Sequence, residues 1–478
     1  MKPVSVPPAP TPAPASALYR AVWRWHFYAG LLVAPFVVFL AVTGALYLWR
    51  PQFEEWRYHD LFHVAVPAGA RPQAPDAQFA AARAAVPTLN PVQFIPATAP
   101  DRSAEVQFGV PRGADKVSVF VNPYTAAVLG RIDDATRPMR ILHDLHGTLL
   151  AGTAGSVVVE LAASWACVLL VTGLCLWWPR PFTVRGFLLP RLGAGRRALL
   201  RDLHAVPAVW LSGLTLFLLA TGVQWTPVGG KWARTLAQSV GEWQPKETAA
   251  SAHRSELLGG WSPYLASKAK AEQAEGVAST PPAEADPHAE HRGHGHGKFT
   301  EDARRISLAQ VMAIAAGRGV TDPYAIALPQ GPAGVYSVIT DRNHAFTRAF
   351  VHLDQYSGRV LADIRFKDFG LLGKFYSFGI IAHEGQLFGL ANQLLGLLTS
   401  LGLIGLVVTG VAMWWSRRPA GRLAAPEGPR LFATSRAAIA VALGLSLLLP
   451  LLAASLAVLL GFDLVLARRL PRLRPAAG

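Results

Sequence analysis

The sequence predicts a mainly α-helical, multi-pass membrane protein: a bundle of about five transmembrane helices in two tandem, pseudo-symmetric halves, with two extracytoplasmic α+β domains. Composition is the first reason, since 51% of the 478 residues are hydrophobic and only 16% are charged. An ordinary soluble enzyme of this length is less apolar. The second reason is a series of long apolar runs, and the third is a set of motifs that occurs twice.

Five segments have the length and composition of membrane-spanning helices, because each contains about 20 largely apolar residues. Whether the last of them crosses the membrane fully is left open, since Pro450 can break it into a re-entrant or hairpin element. A C-terminal tail at 462–478 follows it. The predicted spans are residues 26–49, 146–178, 204–226, 386–415 and 437–461.

Arginine placement predicts the orientation. The loops at 179–203 and 416–436 are basic, so the positive-inside rule makes them cytoplasmic. The N-terminal segment 1–25 is predicted to be disordered and cytoplasmic, before an uncleaved first span. Segments 50–145 and 227–385 are then the extracytoplasmic domains. Orienting arginines explain the formal charge of +15, so we expect membrane lipid and no nucleic acid as a partner.

A Thr-Gly element recurs near the ends of four spans and predicts an internal repeat. Small residues let helices pack closely, and this is our interpretation of Thr-Gly. A tryptophan follows each element within five residues, as in the aromatic belt of a membrane interface. The elements are Thr43-Gly44 with Trp49, Thr172-Gly173 with Trp177, Thr221-Gly222 with Trp225, and Thr409-Gly410 with Trp414.

The extracytoplasmic segments repeat as well. Residues Val121–Leu129 resemble Leu353–Leu361, and both predict a strand, a turn and a second strand. A helical pattern precedes each of them, at Asp76–Ala85 and at Leu308–Gly317, the latter with Ser307 as its N-cap. Each segment is therefore predicted to be a small α+β module.

Four histidines stand at matching distances from the four Thr-Gly elements. Two of them begin the spans that leave the cytoplasm, and the other two precede the spans that return. One pair of histidines therefore belongs to each membrane face. The spacing is 17 residues from His26 to Thr43 and from His204 to Thr221, and 26 residues from His146 to Thr172 and from His383 to Thr409.

Two imidazoles that approach one point from opposite sides suit six-coordinate haem iron. Helices packed about a pseudo-two-fold axis would bring His26 to His204 at one face and His146 to His383 at the other. We therefore expect two haem b groups, without covalent attachment because no C-x-x-C-H motif occurs. The alternative is a set of ordinary interfacial histidines. His143 is a spare ligand, or it hydrogen-bonds close to one.

An insertion at 268–300, rich in Ala, Glu, Pro and Gly, is predicted to be disordered. Its end resembles a tract that captures a divalent metal ion such as Zn, Cu or Ni. A solvated linker is the alternative. The histidines concerned are His288, His291, His294 and His296.

The two expected haem groups would need an electron donor, and the sequence predicts that this donor is not part of the chain. No G-x-G-x-x-G follows a strand, no Walker A motif occurs, and no cytoplasmic loop is long enough for a flavin or nicotinamide domain. The donor is therefore either membrane quinol or a cytoplasmic reductase that docks on the arginine-rich loop at 179–203.

The order of these motifs resembles the PepSY-associated transmembrane family, which includes bacterial iron-regulated membrane proteins and inner-membrane ferric-siderophore reductases. The resemblance covers nearly the whole chain. It is carried by Trp23–Gly30, Leu142–His146, Asp202–His204 and His383–Gln386, together with the Thr-Gly span endings and the turns at Tyr124 and Tyr356.

The resemblance implies a bacterial inner-membrane oxidoreductase with haem b and two PepSY-like periplasmic domains. Such a protein reduces ferric iron, held by a siderophore or another chelator, to Fe(II) at the periplasmic face. The alternative is a non-enzymatic, membrane-anchored protein whose PepSY-like domains bind a peptidase or a chelated metal.

Overall fold

Helices make up most of the regular structure in the computed structural model, which describes residues 17–109, 115–178, 184–255, 305–321, 323–341, 345–418 and 443–469. The chain forms two units. We call Met1–Ala45, Leu145–Arg234 and Leu394–Gly478 the helical unit. Leu46–Asp144 and Thr235–Gln393 form the sheet unit.

The α-helices are, in chain order, α1 (Ala17–Tyr47), α2 (Arg50–Arg57), α3 (His59–Phe62), α4 (Pro75–Ala85), α5 (Pro138–Thr148), α6 (Gly152–Trp177), α7 (Arg196–Gly222), α8 (Gly229–Ser239), α9 (Leu308–Gly317), α10 (Leu371–His383), α11 (Leu390–Arg417) and α12 (Pro450–Arg469). The strands are β1 (Asn90–Ile95), β2 (Ala104–Gly109), β3 (Lys116–Val121), β4 (Val128–Asp133), β5 (Tyr324–Ala327), β6 (Val335–Thr340), β7 (Ala349–Asp354) and β8 (Val360–Arg365).

Four helical segments are long and apolar enough to cross a membrane, so the chain is a multi-pass membrane protein. They contain 26 to 30 residues each, and about 20 suffice to span the hydrocarbon core. Apolar side chains such as Leu32 and Leu401 are 57% exposed along them, as expected of surfaces that face lipid. The four segments are Tyr19–Tyr47, Gly152–Trp177, Arg196–Trp225 and Leu390–Arg417.

Several predicted boundaries were wrong because helices extend past the apolar runs. Residues 17–25, predicted to be disordered, are the first turns of α1, and residues 196–203 of the predicted basic loop begin α7. In the predicted fifth span, residues 443–448 are helical and α12 begins at Pro450. The backbone ladder continues across this proline, since Leu449 N–H donates to Leu445 and Ala453 N–H donates to Leu449.

The predicted spans 146–178 and 386–415 both begin too early. A break with left-handed backbone at Leu149, Leu150 and Gly152 separates α5 from α6. A turn likewise separates α10 from α11. Each returning span is thus preceded by a separate short helix, and His146 and His383 lie on these short helices.

The helical unit has a small apolar core in which α12 packs against α1 and α6. Leu452 is fully buried there beside Ala29, Val33 and Trp165. Glu160 is also buried, yet both of its carboxylate oxygens are used, since they accept the backbone N–H groups of Val228 (3.1 Å) and Gly229 (2.7 Å) at the start of α8. An intramembrane carboxylate is a functional candidate by default, but this one caps a helix.

The sheet unit contains one eight-stranded antiparallel sheet, where the sequence predicted two separate α+β domains. The strand order is β4-β3-β2-β1-β5-β6-β7-β8. The two modules join where β1 pairs with β5, with Phe94 opposite Ile326 and Gln93 opposite Ala327. They are therefore halves of one sheet.

The two halves of the sheet follow one pattern at a constant distance in sequence. Tyr356 minus Tyr124 gives 232, and the same offset relates β4 to β8 at both of their ends. It also relates Phe94 to Ile326, so these two equivalent residues are paired directly with each other. The β1·β5 junction therefore lies on a pseudo-two-fold axis of the sheet.

The halves also share one hydrophobic core, which α4 and α9 cover. Phe94 and Phe108 from one half and Ile326 and Leu353 from the other are buried in the same cluster. The carboxylate of Asp76, in the first turn of α4, accepts the N–H groups of Leu308 (2.8 Å) and Ala309 (3.3 Å) at the start of α9.

Both predicted helices of the modules are confirmed, at Pro75–Ala85 and Leu308–Gly317. Ser307 is the predicted N-cap: its hydroxyl accepts the N–H of Gln310, whose side chain accepts the Ser307 N–H in return. This capping box satisfies two donors that the first turn of the helix would leave unpaired.

The two repeated hairpins also form as predicted, and their turns share one backbone. Asn122 and Asp354 each accept the N–H of the tyrosine two residues on, at 2.9 Å. Four residues after them the chain is left-handed, with φ of 57° at Ala126 and 70° at Gly358. Glycine adopts this conformation without cost, whereas alanine does not.

Replacing Ala126 with glycine should therefore stabilise the sheet unit, by up to about 1 kcal/mol. Gly358→Ala should destabilise it by at least as much, since the new Cβ would also lie 2.9 Å from Ile314 Cδ1. Amide hydrogen exchange of β3 and β4, and of β7 and β8, in the full-length protein measures both effects. Faster exchange of β3 in Ala126→Gly would contradict the assignment.

A buried histidine in the sheet makes part of its stability depend on pH. His352 is fully buried. Its Nε2–H donates to the carbonyl of Thr248 (3.1 Å), so its Nδ1 accepts the hydroxyl of Ser337 (2.8 Å). Burial, together with the neighbouring His253, lowers the pKa of His352 from 6.5 to about 4.

The folded state disfavours protonated His352, so burial of the neutral ring contributes to the free energy of unfolding. This contribution has its full value above about pH 6.5 and is lost as the pH falls towards 4. The loss should reach on the order of 3 kcal/mol. Hydrogen exchange of β6 and β7 between pH 7 and 4.5 should show it. His352→Gln should remove most of the pH dependence, whereas the exposed His59→Gln should leave it unchanged.

Candidate cofactor site

The Thr-Gly elements place four threonine hydroxyls inside the spans, and each hydroxyl donates to its own helix. The acceptor is in every case the carbonyl four residues earlier. Because the single O–H is used in this way, the hydroxyl oxygen is left as an acceptor for another group. The four bonds are Thr43 to Phe39 (2.8 Å), Thr172 to Val168 (2.7 Å), Thr221 to Phe217 (2.7 Å) and Thr409 to Gly405 (2.7 Å).

Three of the predicted histidines meet these hydroxyls through Nδ1. The contacts are His26 to Thr172 at 2.9 Å, His146 to Thr43 at 2.8 Å and His204 to Thr409 at 3.1 Å. Since the hydroxyl oxygen accepts, each Nδ1 carries the proton. His204 Nδ1 also lies 2.9 Å from the carbonyl of Leu406, which can only accept. In this tautomer the lone pair that can bind a metal lies on Nε2.

In three of the four elements the glycine makes room for the same ring that the threonine contacts. A Cβ at Gly173 would lie 3.2 Å from His26 Cε1, one at Gly44 would lie 3.2 Å from His146 Cε1, and one at Gly410 would lie 3.4 Å from His204 Cε1. We call the pair of residues a Thr-Gly cradle. Threonine fixes one ring nitrogen, and glycine lets the ring lie against the helix backbone. The Thr-Gly element thus has a more specific role than the close helix packing that the sequence suggested.

The cradles of Thr43, Thr172 and Thr409 each hold a histidine from another helix. A histidine and a threonine 17 residues apart on one helix are separated by about 25 Å, so they serve opposite ends of the bundle. His26 on α1 therefore uses the cradle of α6, and His204 on α7 uses that of α11. The equal spacings in the sequence located the histidines, and this distance argument could have identified the cradles.

The structure brings His26 and His204 together, as the sequence predicted. Their ring centroids are 6.4 Å apart and their planes are nearly perpendicular, at 88°. Two metal–nitrogen bonds of about 2 Å each, plus about 1 Å from each nitrogen to its ring centre, add up to about 6 Å. The separation of the two rings would therefore leave room for one metal atom between them, and both Nδ1 atoms are already hydrogen-bonded.

A buried carboxylate fixes the start of α7 two residues before His204. Asp202 accepts two bonds of 2.8 Å from the guanidinium of Arg191 and one of 3.0 Å from the Arg191 backbone N–H. Arg201 approaches the same carboxylate at 3.3 Å. This role of Asp202 was not predicted, although a single aspartate among the arginines of a basic loop is a signal of an ion pair.

The predicted histidines outside the His26–His204 pair are divided between the two units. His146 belongs to the helical unit and His383, the last residue of α10, to the sheet unit. The predicted pair of these two therefore stays a prediction. His143 is in the sheet unit, with Nδ1 3.3 Å from Asp144 and its ring 5.5 Å from that of Tyr47.

The predicted metal tract of His288, His291, His294 and His296 lies outside the described residues. Within the part of the chain that the structure describes, no group of three or more His, Cys, Asp or Glu residues is arranged to hold a metal ion.

Comparison with known proteins identifies the family. The sequence model of the family described as "PepSY-associated TM region" matches residues 23–417 of the 478. No curated protein matches the chain. The matched region includes His26, His146 and His204 and, apart from the first residues of α1, the four candidate membrane spans. The chain is a member of the PepSY-associated transmembrane family.

Proposed function

We propose that this membrane protein is a haem b electron-transfer protein that reduces a ferric chelate, such as a ferric siderophore, at the periplasmic face of the bacterial inner membrane. The observation that supports this function is the close approach of His26 and His204, whose ring centroids are 6.4 Å apart. Both residues are held through Nδ1, so Nε2 carries the lone pair through which each could bind haem iron.

The residues around the pair prepare it for this cofactor. His26 and His204 would bind the iron through Nε2, and haem would supply a one-electron Fe(III)/Fe(II) couple. Thr172 and Thr409 accept the Nδ1 protons. A hydrogen bond of this kind fixes the tautomer and the ring orientation of a ligating histidine, and it makes the ring a stronger electron donor.

The direction of electron flow follows from the proposed topology. Basic loops at 179–203 and 416–436 favour a cytoplasmic position, which leaves the sheet unit in the periplasm as the region where a ferric chelate would be reduced. Membrane quinol or a cytoplasmic reductase would supply the electrons. His146 already has its Nδ1 in a cradle, which supports its predicted role as a ligand of a second haem.

The visible spectrum of the purified protein separates this function from that of a membrane-anchored protein that binds a peptidase or a chelated metal. Haem bound by two histidines gives sharp α and Soret bands on reduction, whereas the binding protein would be colourless. Reoxidation of the reduced haem by ferric chelates under anaerobic conditions then tests the acceptor.

Single His26→Ala and His204→Ala variants should lose the same haem, because each removes one of its two axial ligands. The double variant should lose no more haem than either single variant. Pyridine haemochrome analysis measures the content. His59→Ala, an exposed histidine of the sheet unit with a side chain 63% accessible, is the control. Full haem content in either single variant would refute the pair.

Thr172→Val and Thr409→Val should each weaken haem binding by about tenfold or more, since valine keeps the shape of threonine but cannot accept the Nδ1 proton. The midpoint potential should rise, because a less basic imidazole stabilises Fe(III) less. Thr399→Val is the matched control on α11: its hydroxyl also donates to the carbonyl four residues earlier, Leu395 at 2.8 Å. Equal effects of Thr399→Val and Thr409→Val would show a loss of helix packing instead.

A further inference from the structure

Two tryptophans near the His26–His204 pair have buried indole N–H groups without an acceptor among the described residues. They are Trp177 on α6 and Trp414 on α11. An indole N–H can only donate, and it normally finds a partner when it is buried. The same unsatisfied group in both halves of the repeat indicates a partner other than the residues that the structure describes.

Other tryptophans of the helical unit do satisfy their indoles. Trp165 donates to the Ser455 hydroxyl at 3.2 Å, and Trp232 donates to the Leu447 carbonyl at 3.1 Å. Even the exposed Trp210 donates to the carbonyl of Leu188 at 3.1 Å. Trp177 and Trp414 differ in this respect from these three tryptophans.

Both indoles lie next to the glycine of a cradle. Trp177 follows Gly173 by four residues and Trp414 follows Gly410 by four, so each shares a helix face with that glycine. Side chains on a helix lean towards its N-terminus, and the Trp177 ring stacks on that of Phe187, with 3.8 Å between the centroids. The Trp414 ring also lies 6.3 Å from that of Phe27, the residue after His26.

The neighbouring tryptophans show what an ordinary interfacial residue looks like here. Trp178 is 62% exposed and Trp415 is 58% exposed. They fit the aromatic belt that the sequence suggested for this end of the spans. The inner members of the Trp177-Trp178 and Trp414-Trp415 pairs do not fit it, because their nitrogens are buried.

We propose that the Trp177 and Trp414 indoles donate hydrogen bonds to the two propionate carboxylates of the haem held by His26 and His204, an inference that rests on the proposed function. Trp177 is the last residue of α6, and Trp414 is three residues from the end of α11. Carboxylates are costly in the hydrocarbon core and are tolerated near its surface. One donor from each half thus meets one carboxylate at the end of the bundle.

Titration of the haem-free, full-length protein with haemin and with haemin dimethyl ester, followed at the Soret band, tests this assignment. Trp177→Phe and Trp414→Phe should each weaken haemin binding by about tenfold, as expected for a lost hydrogen bond to a charged group. Binding of the dimethyl ester should be unchanged. Trp178→Phe and Trp415→Phe are the matched controls and should bind both porphyrins as the wild type does.

Three outcomes would overturn the assignment. Equal losses for haemin and its ester would show that the indoles support packing, and unchanged haemin binding would show that they do not contact the carboxylates. An effect that follows the anionic lipid content of nanodiscs, and not the ester, would identify a lipid headgroup as the acceptor. In each of these cases the proposed function stands, whereas a wild type that binds no haemin would refute the function itself.

Discussion

The hydrogen bond between a threonine hydroxyl on one span and a histidine Nδ1 from another helix is the interaction on which the membrane part of the protein depends. Polar groups inside a bilayer must be satisfied by protein, because lipid offers no partner. The bonds from His26 to Thr172 and from His146 to Thr43 tie helices of the first half together near both ends of the spans. They also decide which ring nitrogen carries the proton, so one contact sets both the helix register and the tautomer of the imidazole.

This arrangement explains why Thr-Gly recurs where the chain could have used other small residues. Serine or alanine would also permit close packing, but alanine offers no acceptor and any Cβ at the glycine would approach the ring, to 3.2 Å at Gly44 and Gly173. The two residues of the element therefore act on one imidazole. The buried Asp202, held by Arg191, adds a further constraint by fixing the chain just before His204.

Local patterns in the sequence predicted the features that depend on neighbouring residues, such as spans and helix caps. Apolar runs located the four spans, and the cap at Ser307 located α9. The break before α6 was missed because it falls at Leu149 and Leu150, two residues that rarely adopt left-handed backbone and that continue the apolar run. The single sheet was missed because the pairing of β1 with β5 joins segments about 230 residues apart, which no local pattern encodes.

Equal spacing predicted that His26 meets His204, but the indoles of Trp177 and Trp414 looked like ordinary belt residues until their burial was known.

The junction of β1 and β5 has a consequence for how such a chain could have arisen. Phe94 and Ile326 occupy the same position in their respective halves and are partners across the junction, so the contact is the one that two copies of a single half would make about a true two-fold axis. Without its partner, each half would present the backbone of its innermost strand to solvent, a template for uncontrolled association. Tandem fusion in one polypeptide provides the partner half within the same chain. It also lets the two halves differ in sequence, and only the second contains the histidine-bearing insertion.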